Sequence, residues 1–175
     1  MRTTVLRSLV LASTTLLACA RSTPPVPPPG EATEPSTPAA VDAAVGRIVD
    51  DWHDAAAKAD EPRYFAYFAK GGVFLGTDGK DRWTVPEFRT YAHPFFARGK
   101  AWSFRSTHRT VTFRGDVAWF DEDLDTPNLG PARGTEVLVR EDRLTWKIAQ
   151  YNLSVPIPNE RFKDVKALIE AQHAR

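Results

Sequence analysis

The sequence predicts an α+β domain over residues 41–175, preceded by an N-terminal segment that does not belong to it. Amphipathic helical patterns dominate the first half of the domain, and strand patterns dominate the second half. This order is typical of α+β folds and excludes a Rossmann-type fold, in which helices and strands alternate. The chain of 175 residues, of which 42% are hydrophobic, is long enough for one well-buried core.

Helices dominate the domain before residue 100. They are predicted at residues 41–58, 60–70 and 84–98, with one short strand at 73–75. The first helix carries Val41, Val45, Ile48 and Trp52 at helical spacing. The second and third begin at Asp60 and Thr84, each of which stands two residues before a proline, and each helix ends at a glycine.

Strands dominate the domain after residue 100. Apolar and polar residues alternate over residues 101–113, 117–124, 134–140 and 144–155. Short polar connections, and one longer loop at 125–133, separate these segments, which indicates an antiparallel meander. A last helix is expected to begin at Asn159 or Glu160 and to end near Gln172.

Residues 1–18 are predicted to be a secretory signal. They carry Arg2 and Arg7, no acidic residue, and an apolar run too short for a membrane span of roughly 20 residues. The tetrapeptide Leu16-Leu17-Ala18-Cys19 resembles the lipobox of bacterial lipoproteins, in which cleavage leaves an acylated cysteine at the N-terminus. The resemblance implies lipidation of Cys19 and contact with the membrane through that anchor only. The alternative is a plain secreted protein.

Residues 19–40 are predicted to be a tether between this anchor and the domain. The stretch contains half of the chain's 14 prolines and few residues that could be buried. Such sequences favour extended polyproline II at about 3.1 Å per residue. Ala20 stands where inner-membrane lipoproteins commonly carry aspartate. The expected location is therefore the outer membrane of the bacterial envelope, with the domain facing the periplasm.

Charge and residue usage exclude several functional classes. The net charge of +1 gives no reason to expect nucleic-acid binding, and a single cysteine excludes an internal disulfide or a cysteine-rich zinc site. His53 and His173 are expected on helix surfaces, and His93 and His108 as packed or solvent-tipped side chains, without metal-binding spacing. Nucleotide-binding and nucleophile motifs are absent from the sequence, so neither a cofactor nor a metal is predicted.

The closing strand supplies the first candidate pocket residues. The residues of one parity are Leu144, Trp146 and Ile148, followed by the polar Gln150, Asn152 and Ser154. Because alternate residues of a strand share a face, we expect the three polar side chains to line the same concave surface as the apolar ones. The alternative is that Gln150 and Asn152 only satisfy neighbouring backbone groups.

The acidic run Asp121-Glu122-Asp123-Leu124-Asp125 supplies candidate catalytic residues. Alternation places Glu122 among apolar residues, where desolvation would raise its pKa and suit it to general acid or base catalysis. A β-bulge would reverse the faces and nominate Asp121 instead. The alternative is that these acids form ion pairs with arginines on neighbouring strands, namely Arg105, Arg109 or Arg133.

Aromatic residues complete the candidate site. Trp83, Tyr91, Trp102 and Trp119 are expected first of all in the core. An indole or a phenol at a pocket mouth would also suit a flat apolar ligand, so Trp83, Tyr91 and Trp119 are candidate pocket residues.

Four stretches of the domain resemble the SnoaL-like branch of the nuclear transport factor 2 (NTF2-like) superfamily. They are GVFLGTDGKDRWTVPEF, VAWFDEDL, RGTEVLV and LTWKIAQYNLSVPIPN, and the resemblance covers about residues 41–172. It implies a cone in which N-terminal helices and a strongly curved antiparallel sheet enclose an apolar pocket. Many members of the family carry a histidine near the position of Asn152, which cannot move protons near neutral pH.

The family resemblance leaves three functions open, because one fold hosts many activities. The first is binding of a small apolar or aromatic molecule. The second is an isomerase, dehydratase or cyclase-type enzyme, with Glu122 or Asp121 as base and Asn152 or Tyr91 orienting an oxygen. The third is a non-catalytic assembly module that forms a homodimer through its sheet.

Overall fold

The computed structural model describes residues 37–142 and 145–173. The predicted signal at 1–18, Cys19 and nearly all of the tether lie outside the described residues, as does Leu144. The elements are α1 (Pro38–Ala57), α2 (Glu61–Ala66), β1 (Phe68–Leu75), β2 (Arg82–Thr84), α3 (Val85–Ala97), β3 (Arg105–Arg114), β4 (Val117–Thr126), β5 (Gly130–Arg140), β6 (Trp146–Ser154), a 3-10 turn (Asn159–Arg161) and α4 (Phe162–His173). Helices precede the long strands, so the predicted α+β class is confirmed.

All six strands form one curved, unclosed sheet in the order β2-β1-β6-β5-β4-β3. Strands β3 to β6 pair as the predicted antiparallel meander. β1 joins the other edge of β6 in parallel orientation, and the short β2 pairs antiparallel with β1. The first half of the chain therefore contributes two strands, β1 and β2, which extend the meander formed by the second half.

The boundaries of three early elements differ from the predicted ones. α1 begins at Pro38, inside the predicted tether, because the Thr37 hydroxyl caps it by accepting a hydrogen bond from the Ala40 N–H at 3.2 Å. α2 ends at Ala66 and not near residue 70, because Phe68 already pairs with β6. The aromatic spacing that favours a helix is overridden here by sheet pairing. β2, at Arg82–Thr84, is a strand that the sequence patterns did not predict.

The loop predicted at 125–133 is shorter than expected, since β4 continues to Thr126 and β5 begins at Gly130. Gly130 has a φ of +69°, a conformation that favours glycine, and the Thr126 hydroxyl accepts a hydrogen bond from the Leu129 N–H. The turn lies at one end of the sheet, where it borders the cavity described below.

The core contains two hydrophobic clusters along α1. The N-terminal half of α1 packs Val41, Val45 and Val49 against the middle of the sheet. Its C-terminal half packs Trp52 against an aromatic group from α2, β1 and α3. Among the described residues, no helix is long and apolar enough to cross a membrane.

Candidate functional site

A β-bulge in β6 changes which side chains face the interior. Leu138 pairs with Ile148 and Val137 with Gln150, so Ala149 is an extra residue between them. Before the bulge Trp146 and Ile148 are buried, and after it Tyr151 and Leu153 are buried. The prediction that Gln150, Asn152 and Ser154 share the interior face is therefore wrong. The prediction assumed that side chains alternate along the whole strand, and one inserted residue reverses the alternation after it.

The strand β4 alternates without interruption, as expected. Its buried residues are Ala118, Phe120, Glu122, Leu124 and Thr126. Glu122 is fully buried, whereas Asp121 is exposed on the outer face, so the alternative that nominated Asp121 does not apply. The register of β4 against β5 shows no bulge. Of the two acidic candidates, only Glu122 lies in the interior.

Glu122 lies in a network of charged and polar groups that links the sheet to α1. Its Oε1 lies 2.8 Å from His53 Nε2, and its Oε2 accepts hydrogen bonds from Arg109 at 2.8 Å and 3.1 Å. Arg109 also pairs with Asp50 of α1 at 2.9 Å. His53 is only 5% exposed, so its prediction as a surface residue is wrong. It follows Trp52 directly and lies four residues after Val49, which places it on the buried side of α1.

The ion pairs favoured as an alternative are present on the same strands. Arg109 pairs with Glu122, Arg105 with Asp125 at 2.5 Å, and Arg133 with Asp123 at 3.5 Å. Burial acts to raise the pKa of Glu122, but the hydrogen bond from His53 and the charge of Arg109 outweigh it, so the pKa is lowered. The expectation of a raised pKa at Glu122 is therefore wrong. Glu122 is a paired carboxylate and not a free base.

A second buried acid, Glu136, lies on β5, two residues after the residue that pairs with Glu122. The sequence patterns did not identify it as a candidate. It pairs with Tyr151 on β6 and with Phe120 on β4. Its two carboxyl oxygens and the Tyr151 hydroxyl have no hydrogen-bond partner among the described residues. Burial, together with the nearby charge of Glu122, holds the pKa of Glu136 well above its usual value of 4.5. The alternation Gly134, Glu136, Leu138 was the signal that could have found it.

Gly134 allows these polar groups to approach one another. It lies opposite Glu122 on β4 and opposite Leu153 on β6. A Cβ atom at Gly134 would lie 2.4 Å from the Tyr151 hydroxyl and 3.0 Å from Glu122 Oε1. The backbone at Gly134, the Glu122 carboxylate and the Tyr151 hydroxyl are therefore closely packed at this level of the sheet.

A cavity of about 240 Å³ lies beside this network. Its walls come from β1, β2, α3, β6, residues 102–104 and the 126–129 turn. Its apolar lining is dominated by aromatic side chains: Phe74, Trp83, Phe88, Tyr91, Phe95, Trp102 and Phe104. Polar lining groups include Thr77, Asp81, Ser103 and Asn128. The sequence-predicted Trp83 and Tyr91 both line it, and their rings stack at 4.7 Å.

Phe104 separates the cavity from the buried polar network. Its ring lines the cavity, and the centroid of this ring lies 5.6 Å from the centroid of the His53 ring in edge-to-face orientation. Trp119 does not reach the cavity, because it is 42% exposed on the outer face of β4. It lies instead beside Gln150 at a separate recess on the outer face, so its prediction as a residue of the aromatic pocket is wrong. The homodimer through the sheet stays a prediction.

Metal binding finds no support within the described ranges. No group of three or more His, Cys, Asp or Glu side chains at 37–142 and 145–173 is arranged to hold a metal ion.

The geometry agrees with the comparisons with known proteins. A family model for the SnoaL-like domain matches residues 45–158. The chain belongs to the SnoaL-like domain family. The predicted NTF2-like cone is also confirmed, because an NTF2-like protein of unknown function from Pseudomonas putida superposes with a TM-score of 0.60 at 16% identity, over 70% of this chain and 91% of that one.

Other solved structures similar to this SnoaL-like chain carry the names of enzymes. A "putative dehydratase from the NTF2-like family" of Streptomyces avermitilis matches with a TM-score of 0.59 at 19% identity, over 70% of this chain and 100% of that one. A "putative ketosteroid isomerase" of Parabacteroides distasonis matches with a TM-score of 0.54 at 18% identity, over 65% and 86%. These identities establish the fold alone. A search of curated proteins finds no match.

Proposed function

We propose that this SnoaL-like domain binds a small, flat, largely apolar molecule in its aromatic cavity. The observation that carries the proposal is the cavity itself, an opening of about 240 Å³ walled by tryptophan, tyrosine and phenylalanine rings with a few polar groups. Ligand sites generally combine such apolar walls with a small number of placed polar groups. The volume lies below the roughly 300–1,000 Å³ of typical drug-sized sites, which indicates a ligand of one or two rings.

The arrangement of the two buried acids, Glu122 and Glu136, favours binding over catalysis by either of them. Glu122 is held by His53 and Arg109, and Glu136 is enclosed beside Tyr151, so neither carboxyl group lines the cavity. A general acid or base must come within hydrogen-bond distance of the proton it transfers. In this conformation a molecule in the cavity meets Phe104 before it meets His53.

Binding can be tested by calorimetric titration of the full-length chain with 4-methylphenol, a one-ring probe. The Trp83→Ala variant removes a wall of the cavity, and we expect it to weaken binding at least about fivefold, the loss of one aromatic contact. Trp119→Ala is the matched control, because it removes an indole from the outer face, and it should bind like the wild type. No heat of binding in the wild type, or equal weakening in both variants, would contradict the proposal.

A second candidate function, acid–base catalysis, is favoured by the buried pair of His53 and Glu122 behind Phe104. Movement of that one ring would bring an imidazole into contact with a ligand. The enzyme names of the similar structures agree with this function but come from fold likeness. The test is exchange of the methyl protons of acetophenone in D₂O, followed by NMR. Catalysis predicts faster exchange with the wild type than with His53→Gln, and equal rates would exclude it for this probe.

We also propose that the domain is held at the bacterial envelope by a lipid on Cys19. The support is the tetrapeptide that ends at Cys19 and the proline-rich stretch that follows it. Mass spectrometry of the protein from bacterial cells should show a chain that begins at residue 19 and carries acyl groups. Cys19→Ser should abolish that species, whereas an unmodified Cys19 in the wild type would contradict the proposal. Fractionation of the same cells should place the protein in the outer membrane.

A further inference from the structure

The described residues that line the cavity carry formal charge of one sign only, which is negative. Among the described residues that line the cavity, Asp81 is the only one with a formal charge, and none is lysine, arginine or histidine. Asp81 forms no ion pair within the described ranges, and its carboxylate accepts a hydrogen bond from the Asp78 N–H at 3.2 Å. The lining therefore holds one negative charge beside an aromatic wall, and this charge has no ion-pair partner in the described part of the chain.

The local backbone holds the Asp81 carboxylate against the cavity. The Gly76 N–H donates to the Asp81 carbonyl at 2.9 Å, and the Asp81 N–H donates to the Asp78 carbonyl at 2.9 Å, which closes the turn between β1 and β2. A Cβ atom at Gly76 would lie 2.6 Å from Asp81 Oδ2. The absence of a side chain at Gly76 is what lets the carboxylate occupy this place, and Gly76 and Asp81 both line the cavity.

The aromatic wall adds to the negative potential of the cavity. Trp83 stacks with Tyr91 at 4.7 Å and with Phe88 at 5.6 Å, with ring planes within 20° of each other. Aromatic faces carry negative charge density and attract cations, most strongly for tryptophan. One ring of the lining, Phe95, already contacts a cation, because the Arg98 guanidinium lies 5.0 Å from its centroid.

We propose that the cavity selects small organic cations, that is, quaternary ammonium or protonated amine groups on a compact apolar body. The inference rests on the proposed binding function and names its ligand class. Trp83 and Tyr91 supply aromatic contact, Asp81 supplies the opposite charge, and the absence of basic lining residues removes the repulsion that a cation would otherwise meet. An anionic ligand is disfavoured by the same carboxylate.

The test uses choline and 3,3-dimethylbutan-1-ol, which have the same shape and differ in the positive charge of one atom. The full-length chain is titrated with each by calorimetry, as the wild type, as Asp81→Asn and as Asp121→Asn. The Asp81→Asn side chain can still accept the Asp78 N–H, so the turn is preserved. Asp121→Asn is the control, because it removes the same charge from the outer face of the sheet.

We expect the wild type to bind choline at least about fivefold more tightly than the neutral alcohol, the range of a partly desolvated cation–π contact. The preference should fall in Asp81→Asn and persist in Asp121→Asn. Equal or tighter binding of the alcohol overturns the cation inference and leaves the binding function standing. Binding of 4-methylphenol without binding of choline does the same. Binding of none of the three probes overturns both proposals.

Discussion

His53 Nε2 and Glu122 Oε1 lie 2.8 Å apart in the interior and join the C-terminal half of α1 to the middle of β4. A carboxylate accepts hydrogen bonds and cannot donate them, so the imidazole nitrogen is the donor. Arg109 approaches the other carboxylate oxygen from β3. Three separate elements are therefore connected through one buried side chain.

Replacement of Glu122 with glutamine should destabilise the domain strongly. The substitution keeps the shape of the side chain but leaves the half-buried Arg109 without its main partner in the interior. Breaking a buried ion pair by removal of one partner typically costs about 3–5 kcal/mol. Urea denaturation measures the loss. Asp121→Asn is the control, since exposed substitutions usually change the free energy of unfolding by at most about 0.5 kcal/mol. Equal effects of both variants would show that the network contributes nothing.

The same network predicts an acid-side pH dependence. The pKa of Glu122 is lowered from its usual value of 4.5 in the folded state, so the folded state holds this proton less tightly than the unfolded state. The stability from Glu122 is present above the unfolded pKa and is lost as the pH falls through the folded pKa. Below about pH 4.5, Glu122→Gln should therefore lose less free energy of unfolding than the wild type. Parallel acid titrations of the two would contradict this.

Glu136 predicts a pH dependence of stability with the opposite sign, at pH values above about 4.5. Its raised pKa means that the folded state keeps a proton that the unfolded state releases above about pH 4.5. Stability from this group is complete below the unfolded pKa and falls as the pH rises toward the folded one, by up to about 1.4 kcal/mol per pH unit. Glu136→Gln removes the titration, so its stability relative to the wild type should grow between pH 5 and pH 8. Urea midpoints over this range measure the difference, and a constant difference would refute it.

The fold was predictable from the sequence because helix and strand periodicity are local properties. The apolar face of α1 and the alternation in β4 both depend on residues close in the chain, and both are observed. The end of α2 and the existence of β2 depend on pairing with other strands, which local patterns do not contain. Periodic segments are therefore reliable guides, and boundaries set by distant partners are not.

The candidate site was predictable only in part, for the same reason. The burial of Glu122 follows from the local alternation of β4 and is observed. Trp83 and Tyr91 line the cavity, and their role in binding stays a prediction. One inserted residue at Ala149 reverses the faces of Gln150 and Asn152, and no feature of the strand sequence reveals it. His53 lies on the buried side of α1, but its polar partner, Glu122, comes from the sheet. That contact joins residues 69 positions apart, beyond the range of any local pattern.

Removal of the Phe104 side chain should open His53 to the cavity. The Phe104 ring lines the cavity and lies against the imidazole, so Phe104→Ala enlarges the cavity in that direction. We expect faster modification of His53 by diethyl pyrocarbonate, measured by mass spectrometry of peptides. Phe95→Ala is the control. The Phe95 ring lines the same cavity but contacts the rings of Tyr91 and Trp102 and not that of His53. Unchanged reactivity in Phe104→Ala would show that another group shields the histidine.

Gly134 should not tolerate a side chain. A Cβ atom there would lie 2.4 Å from the Tyr151 hydroxyl and 3.0 Å from Glu122 Oε1, so Gly134→Ala forces these groups apart at a typical cost of about 1–3 kcal/mol. Gly79→Ala is the control, because nothing lies within 4 Å of its added carbon. Addition of Tyr151→Phe to Gly134→Ala removes the closest clashing atom, and this double variant should regain part of the lost free energy of unfolding. If the two losses simply add, the clash with Tyr151 is not the cause.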